Sequence, residues 1–428
     1  MYSFDLKHGT SSKKDDDQPL DPSERVPAVV YWVGMSSLLA DVSAEMLASV
    51  LPVFLYSVLQ LPPLQVGFFD GLYQGAAALV RVLAGYVADK RRSNKAVALV
   101  GYALSFLARI GLLLSTSLGL VFALGSLLAD RIGKGIRTAP RDAIIAGHAP
   151  ARSMAAAFGV HRSMDAVGAF VGPLIAAALL WWRPFDTTWL FAASLFFAGA
   201  GLMVFQMRVT DPVISSVLVD VASPASPVSL FASLRMSPAF IKLVGIAVLL
   251  STFTISDGLL YLSVQRRLGL ADSQIPLMFV ATALVFVLSA RPVGRWADRF
   301  GPVRCFLLGY LLLGCVYLWF AFGPLRSVAE AAVMVGLIGL HYAATDGVLM
   351  AIAARALDPR ARTTGMAVLT TAVGLTRIAS SSLYGLLWQT RGQETATIVF
   401  SLGMTACVGF ALLVLTRRGI ARTTGERM

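Results

Sequence analysis

The sequence predicts an all-α membrane protein of twelve transmembrane helices in two related six-helix halves, and three observations carry that prediction. The composition is too apolar for a water-soluble fold. Of 428 residues, 57% are hydrophobic and 14% are charged, against about 45–50% and about 25% in soluble domains. Apolar runs recur between short polar breaks, each long enough for a bilayer, which takes roughly 20 residues. One charged pattern also stands at the same place in each half.

Residues 1–26 are polar and carry Asp15, Asp16 and Asp17. A cleavable leader is basic and then apolar, so this segment reads as a disordered cytoplasmic tail. The spans then read as 27–58, 65–88, 96–116, 118–147, 154–182 and 188–208 in the first half. In the second half they read as 237–262, 272–293, 303–324, 327–354, 364–389 and 395–416. The longer ones imply tilt or extension beyond the bilayer. Residues 27–208 and 237–416 form the two halves. Residues 209–236, with Asp211, Pro212, Asp220, Pro224 and Pro227, form a cytoplasmic linker, and 417–428 a cytoplasmic tail.

Lys and Arg accumulate in cytoplasmic loops. They crowd the breaks after the second span (Lys90, Arg91, Arg92, Lys95), the eighth (Arg295, Arg299, Arg304) and the tenth (Arg355, Arg360, Arg362), and also the C-terminal tail. Arg266 and Arg267 after the seventh span are the clearest exception. Both termini are therefore expected in the cytoplasm, and the compact loops suggest a bacterial plasma membrane. The net charge of +12 has the same origin; no basic stripe interleaved with aromatics calls for nucleic acid. Cys305, Cys315 and Cys407 fall in or beside apolar runs and form neither a disulfide framework nor a metal motif.

The repeat is Gly85-Tyr-Val-Ala-Asp89-Lys-Arg-Arg92 after the second span and Gly294-Arg-Trp-Ala-Asp298-Arg299-Phe-Gly after the eighth. Asp142 and Asp346 fall near corresponding ends of the fourth and tenth spans. Internal repeats are common in secondary transporters. At these residues the chain resembles the major facilitator superfamily. Its second-to-third-loop signature fits Gly85, Asp89, Arg91 and Arg92, although the first copy lacks the usual Gly after the Asp. Its fourth-helix motif is similar to Arg131-Ile-Gly-Lys134-Gly135, and its antiporter fifth-helix motif to Gly168-Ala-Phe-Val-Gly172-Pro173. The resemblance implies alternating access. It implies that Asp89 and Asp298 latch the inward gate through ion pairs and a helix terminus, and that Gly168, Gly172 and Pro173 seal a leak between helices in antiport. Anchoring alone, or ordinary small-residue packing, are the plainer readings of these two features.

Ionisable residues inside a membrane are costly unless paired, which makes them functional candidates. Asp41 and Glu45 lie four apart on one helix face. Close carboxylates repel, so they are expected to take and release a coupling proton, unless each simply pairs with an Arg. On the fourth span Asp130, Lys134, Arg137 and Arg141 form one stripe and Arg131, Gly135, Thr138 and Asp142 the next. Pro140 implies a kink. Arg131 and Lys134 are expected to contact substrate, with Asp130. Arg137, Arg141 and Asp142 are expected either to gate or to form a salt-bridge lattice with neighbouring helices. His161 and Asp165 can share a proton relay. Arg109 is a further candidate substrate contact and is expected to pair with Asp41, Glu45 or Asp130. In the second half Arg377 and His341 are candidate substrate contacts and Asp346 a gating residue, while Asp257 reads as outer interface.

No phosphate-binding loop, zinc-protease motif or nucleophile elbow occurs. A membrane enzyme is thus a poor reading, and no cofactor or metal is expected. The expectation is a monomeric secondary transporter, surrounded by lipid, that moves a small molecule outward in exchange for protons. Proton-coupled uptake of an organic anion is the alternative, motivated by the basic fourth span. A receptor or scaffold that does not transport is the alternative of another class.

Overall fold

The computed structural model describes residues 26–91, 93–150, 153–184, 186–211, 237–323, 325–357 and 362–416. Both tails and most of the inter-half linker lie outside these residues. Every regular element described is helical. The first half comprises α1 (Ala28–Val53), α2 (Pro63–Arg91), α3 (Asn94–Leu118), α4 (Leu120–His148), α5 (Met154–Trp182) and α6 (Thr187–Arg208). The second comprises α7 in two pieces, α7a (Pro238–Thr252) and α7b (Asp257–Leu268), then α8 (Gln274–Phe300), α9 (Pro302–Phe322), α10 (Val328–Ala356), α11 (Arg362–Arg391) and α12 (Gln393–Thr416).

The helices begin where side chains can satisfy the free N–H groups of the first turn. Ser93 caps α3, Asp186 caps α6, Ser237 caps α7a and Ser327 forms a capping box with Glu330 on α10. The connections α8–α9 and α11–α12 reverse the chain within very few residues. They do so through Gly301 and Gly392, whose φ of +99° and +86° an L side chain rarely adopts. Alternation of direction places the described ends of the chain at one end of the bundle, here the terminus end. The α1–α2 and α11–α12 connections lie at the far end.

In the first half α1 packs on α5 and α6, α3 on α4 and α6, and α2 on α4. In the second, α10 packs on α8 and α9, α12 on α9 and α11, and α11 on α7a. The halves meet along two seams, α2 against α11 and α5 against α8. The first is a close backbone contact. A Cβ added at Gly67 would stand 2.1 Å from the Ser381 carbonyl oxygen, one at Gly71 2.7 Å from Ile378 Cα, and one at Gly385 2.2 Å from the Pro63 carbonyl oxygen. Absent side chains let two backbones touch and gain dispersion contact. These residues all belong to the far-end portions of α2 and α11, so this seam is shut at the far end.

Three departures from the sequence reading matter. α7 reads as one apolar run but is interrupted at Phe253–Ser256, where Ser256 caps α7b by accepting from Leu259 N–H. Irregular backbone at membrane depth is tolerated only where protein satisfies it. Here Ile255 N–H donates to the Tyr317 hydroxyl at 2.9 Å and Ser380 donates to the Thr254 carbonyl at 2.7 Å. α8 continues to Phe300 through Arg291, Pro292 and Arg295, because long basic side chains reach water from a helix that outruns the apolar core. Finally, among the described residues ten spans are long and apolar enough to cross a membrane, and α2 and α4, which carry several charged residues, are not among them.

Candidate functional site: a charge ladder on α4 and a cavity between the halves

The motif Arg131-Ile-Gly-Lys134-Gly135 works as packing before it works as charge. A Cβ at Gly133 would stand 2.7 Å from the Gly101 carbonyl oxygen of α3, and one at Gly135 2.8 Å from the Ala77 carbonyl oxygen of α2. The two glycines press α4 against two different neighbours. Lys134, between them in sequence, projects towards α1.

There it meets both expected proton carriers. Lys134 Nζ lies 3.4 Å from Asp41 Oδ1 and 3.3 Å from Glu45 Oε1. Arg137 stands 3.3 Å from Asp41 and stacks on the Tyr102 ring at 4.8 Å. One level towards the terminus end, Arg141 pairs with Asp142 at 2.9 Å, approaches Asp165 at 3.8 Å and donates to the Ser37 hydroxyl at 2.6 Å. His161 joins this level, 3.5 Å from Asp165 and 3.3 Å from the same Ser37 hydroxyl. One level towards the far end, Asp130 is held by Arg109 and Arg131, each at 2.9 Å, and Arg131 covers the Tyr73 ring at 3.8 Å. Arg109 also donates to the Ser43 hydroxyl at 3.0 Å. The stripe on α4 is thus a ladder of ion pairs reaching α1, α3 and α5.

Behind α1, the Gly168 and Gly172 positions bring α5 into contact at the same level. A Cβ at Gly168 would lie 2.7 Å from the Leu38 carbonyl oxygen and 3.1 Å from Asp41 Cβ. One at Gly172 would lie 2.6 Å from the Val42 carbonyl oxygen and 3.2 Å from Glu45 Cβ. Asp41 and Glu45 therefore lie on the stretch of α1 against which Gly168 and Gly172 of α5 pack.

A cavity of about 300 Å³ lies between the halves. Glu45, Ser49 and Pro173 line it from the first half; Asp257, Tyr342, Asp346 and Arg377 are among those lining it from the second. A second cavity, about 810 Å³, is a groove between α3 and α6 walled by residues such as Phe106, Phe196 and Met203. Its walls are almost wholly apolar, which suits lipid and not a selective polar site.

Glu45 and Arg377 therefore reach the cavity, whereas Arg109, Asp130 and Arg131 are turned into the first half. Asp346 sits in the cavity, not in a cluster at the terminus end. His341 is buried away from the cavity, its Nδ1 2.9 Å from the Gly309 carbonyl oxygen of α9. Asp298 pairs with Arg355 at 3.6 Å, joining α8 to α10 inside one half, with both side chains half-exposed or more. Gly294 and Arg299 lie on the same terminus-end stretch of α8, and no atom stands within 4 Å of a Cβ at Gly294. Of the first copy of the repeat, the surroundings of Gly85 and Asp89 and the whole of Arg92 lie outside the described residues.

The sequence reading gave two further residues too little weight. Asp257 is the first residue of α7b, and its Oδ1 accepts from the Tyr342 hydroxyl at 2.7 Å. The signal was Ser256-Asp257-Gly258, a helix-start pattern hidden inside an apolar run. Asp70 on α2, 4% exposed, is a charge in the second span that the sequence reading allows either to pair or to face the seam. It lies 3.3 Å from Gln74 Nε2 and reaches across the seam to α7b, with its Oδ1 3.0 Å from the place of a Cβ at Gly258.

Two six-helix halves enclosing a charged cavity at mid-depth define a polytopic membrane transport protein. The Major Facilitator Superfamily model matches residues 33–265 and 243–428, and the chain belongs to that family. It is 29% identical over 394 residues to an uncharacterized MFS-type transporter of Methanocaldococcus jannaschii, covering 90% of this chain and 94% of that one. It is 26% identical over 406 residues to an uncharacterized protein of Mycobacterium tuberculosis, covering 91% and 95%. Among solved structures, a POT family transporter in complex with 5-aminolevulinic acid aligns with a TM-score of 0.75 at 15% identity over 93% of this chain and 97% of that one. A mutant of the nucleoside transporter NupG aligns with a TM-score of 0.75 at 12% identity, covering 91% and 100%. At such identities these two likenesses concern the fold.

Proposed function

We propose that this chain is a monomeric, proton-coupled exporter of a small molecule, working by alternating access of its two halves about the central cavity. The observation that carries the reading is Lys134, shared between Asp41 and Glu45 at 3.4 and 3.3 Å while Glu45 also lines the cavity. Arg137 also pairs with Asp41 at 3.3 Å, so Glu45, which has only a share of Lys134 and faces the cavity, is the carboxylate placed to take up a proton. Substrate entering beside Glu45 competes for that site. Proton binding and substrate release are thereby linked through one side chain.

The path for the proton runs along the ladder, from Glu45 and Asp41 towards Asp165 and His161, beside Arg141, at the terminus end. Export fits the backbone contact of Gly168 and Gly172 with α1, which excludes water beside the carriers and so limits uncoupled leak. With the terminus end in the cytoplasm of a bacterial cell, the shut α2–α11 seam faces outward and this conformation is inward-facing. Arg137, Asp142, Asp346 and the Asp298–Arg355 pair then act in rearrangement of the halves. A complete cavity within one chain supports action as a monomer.

The test uses inverted membrane vesicles acidified inside, with a pH-reporting dye and a panel of organic cations, neutral compounds and organic anions. A compound that dissipates the gradient with the native chain, but not with Glu45→Gln or Asp41→Asn, is the expected result. Dissipation that persists in both variants, or accumulation of an organic anion in whole cells with no response to any compound in the vesicles, would overturn the reading.

A further inference from the structure

The two walls of the cavity differ in how their charges are satisfied. On the first-half wall, Glu45 and its neighbour Asp41 have Lys134 within ion-pair distance. On the second-half wall, among the described residues, Asp257, Asp346 and Arg377 form no ion pair. The polar partner of Asp257 is the Tyr342 hydroxyl, and that of Arg377 is Gln74 Oε1 of α2 at 3.5 Å. Charges at membrane depth are retained where something pairs with them. Here Arg377 is the one cation among the described residues of this wall, it stands beyond ion-pair distance of both aspartates, and two carboxylates face it.

From this arrangement we infer that the second-half wall is the substrate-recognition site, and that it takes a small organic monocation whose ammonium group sits between Asp257 and Asp346. The reading rests on the transport function proposed above. One positive charge brings the unpaired set to neutrality, whereas an anion would add a further unpaired carboxylate to the wall. Asp257 is held for this role from two sides: the helix start fixes its backbone and Tyr342 fixes one oxygen, leaving the other for a ligand. Phe279, Phe286 and the Tyr342 ring stand in the same lining and supply faces for a cation and for an apolar body. The volume of about 300 Å³ lies at the small end of ligand sites, about 300–1,000 Å³. The ligand is accordingly compact, an amine on a single ring or a short chain. Lys134 and Arg377 flank the site and set its limits, because a second ammonium group would meet one of them.

The experiment measures equilibrium binding to the full-length protein in nanodiscs, using matched compounds that share one body and differ only in charge. Phenylethylamine and short alkylamines are compared with their N-acetyl derivatives and with the corresponding carboxylates, at neutral pH and without a proton gradient. The expected result is binding by amines alone. Asp257→Asn and Asp346→Asn should each weaken it about tenfold or more, as expected for loss of a charged hydrogen-bond partner. Glu394→Gln, exposed in the first turn of α12 and outside the cavity, should leave it unchanged. Among the described residues Asp346 has no hydrogen-bond partner to lose, so its variant remains informative if Asp257→Asn fails to fold. Binding of the carboxylates, binding of no amine, or undiminished binding in Asp346→Asn would overturn the inference. Amine binding without proton exchange in vesicles would instead sink the coupled-export reading and leave this one standing.

Discussion

Replacing Gly67 by alanine places a methyl group where α2 and α11 touch. Its Cβ would lie 2.1 Å from the Ser381 carbonyl oxygen and 2.9 Å from the Ser381 carbonyl carbon, the former more than 1 Å inside the ordinary contact of 3.4 Å. The obstacle is backbone on a neighbouring helix, so no rotamer change relieves it and the helices must separate. Overpacking of this kind costs about 1–3 kcal/mol. The cost falls only on the conformation in which the far-end seam is shut. A difference of that size shifts a two-state equilibrium about 5–150-fold towards the state with the far end open. Spin labels at Ser57 and Arg391, in a background with Cys305, Cys315 and Cys407 replaced, report the far-end distance by pulsed electron resonance. The expected result is a new or enlarged long-distance population in Gly67→Ala. Gly294→Ala is the control, because nothing stands within 4 Å of that Cβ. A distance distribution unchanged by Gly67→Ala would refute the reasoning that glycine contact closes this seam.

Four further outcomes are expected. Asp130→Leu removes one partner of a pair whose side chains are 1% and 2% exposed; thermal unfolding should show a loss of about 3–5 kcal/mol, partly recovered when Arg109→Met is added. Gly172→Val drives a side chain against the Val42 carbonyl oxygen, 2.6 Å from the Cβ position, and should raise the substrate-independent decay of a pH gradient in proteoliposomes. Asp298→Asn breaks a pair with 50% and 75% exposed side chains, a contact that contributes at most about 1 kcal/mol, so the melting temperature should not move. Asp70→Leu should loosen contact between α2 and α7b, seen as faster hydrogen exchange in the first turns of α7b, with Asp70→Asn intermediate because its one amide oxygen can still accept from Gln74.

The helices were legible because lipid imposes one rule on every span. α5 was placed at 154–182 and is found at Met154–Trp182; α6 was placed one residue late. The ladder on α4 was legible for a related reason: charges at helical spacing in a membrane segment have to face protein. His161 and Asp165 could be paired from their spacing alone, and they stand 3.5 Å apart. Long-range geometry was not legible. Nothing in the pattern of α4 distinguishes Lys134, which reaches α1 beside the cavity, from Arg131, which turns into the first half. Asp257 was misread because hydropathy averages over an interruption of four residues. Asp346 was paired with Asp142 by repeat position, but each half has diverged around its own aspartate, one beside Arg141 and the other facing the cavity.

The interruption in α7 also bears on how the chain is made. Residues 238–268 leave the ribosome as one apolar segment of 31 residues, and a continuous helix satisfies its own backbone on entering lipid. The groups freed by the break find partners on Tyr317 and Ser380, 62 and 126 residues downstream of those they satisfy. Uncompensated backbone groups in hydrocarbon cost several kcal/mol each. α7 is therefore expected to enter the membrane unbroken and to part when α9 and then α11 come to lie beside it. On that account the start of α7b, and with it the setting of Asp257, is expected to be completed late in biogenesis, after most of the second half has been inserted.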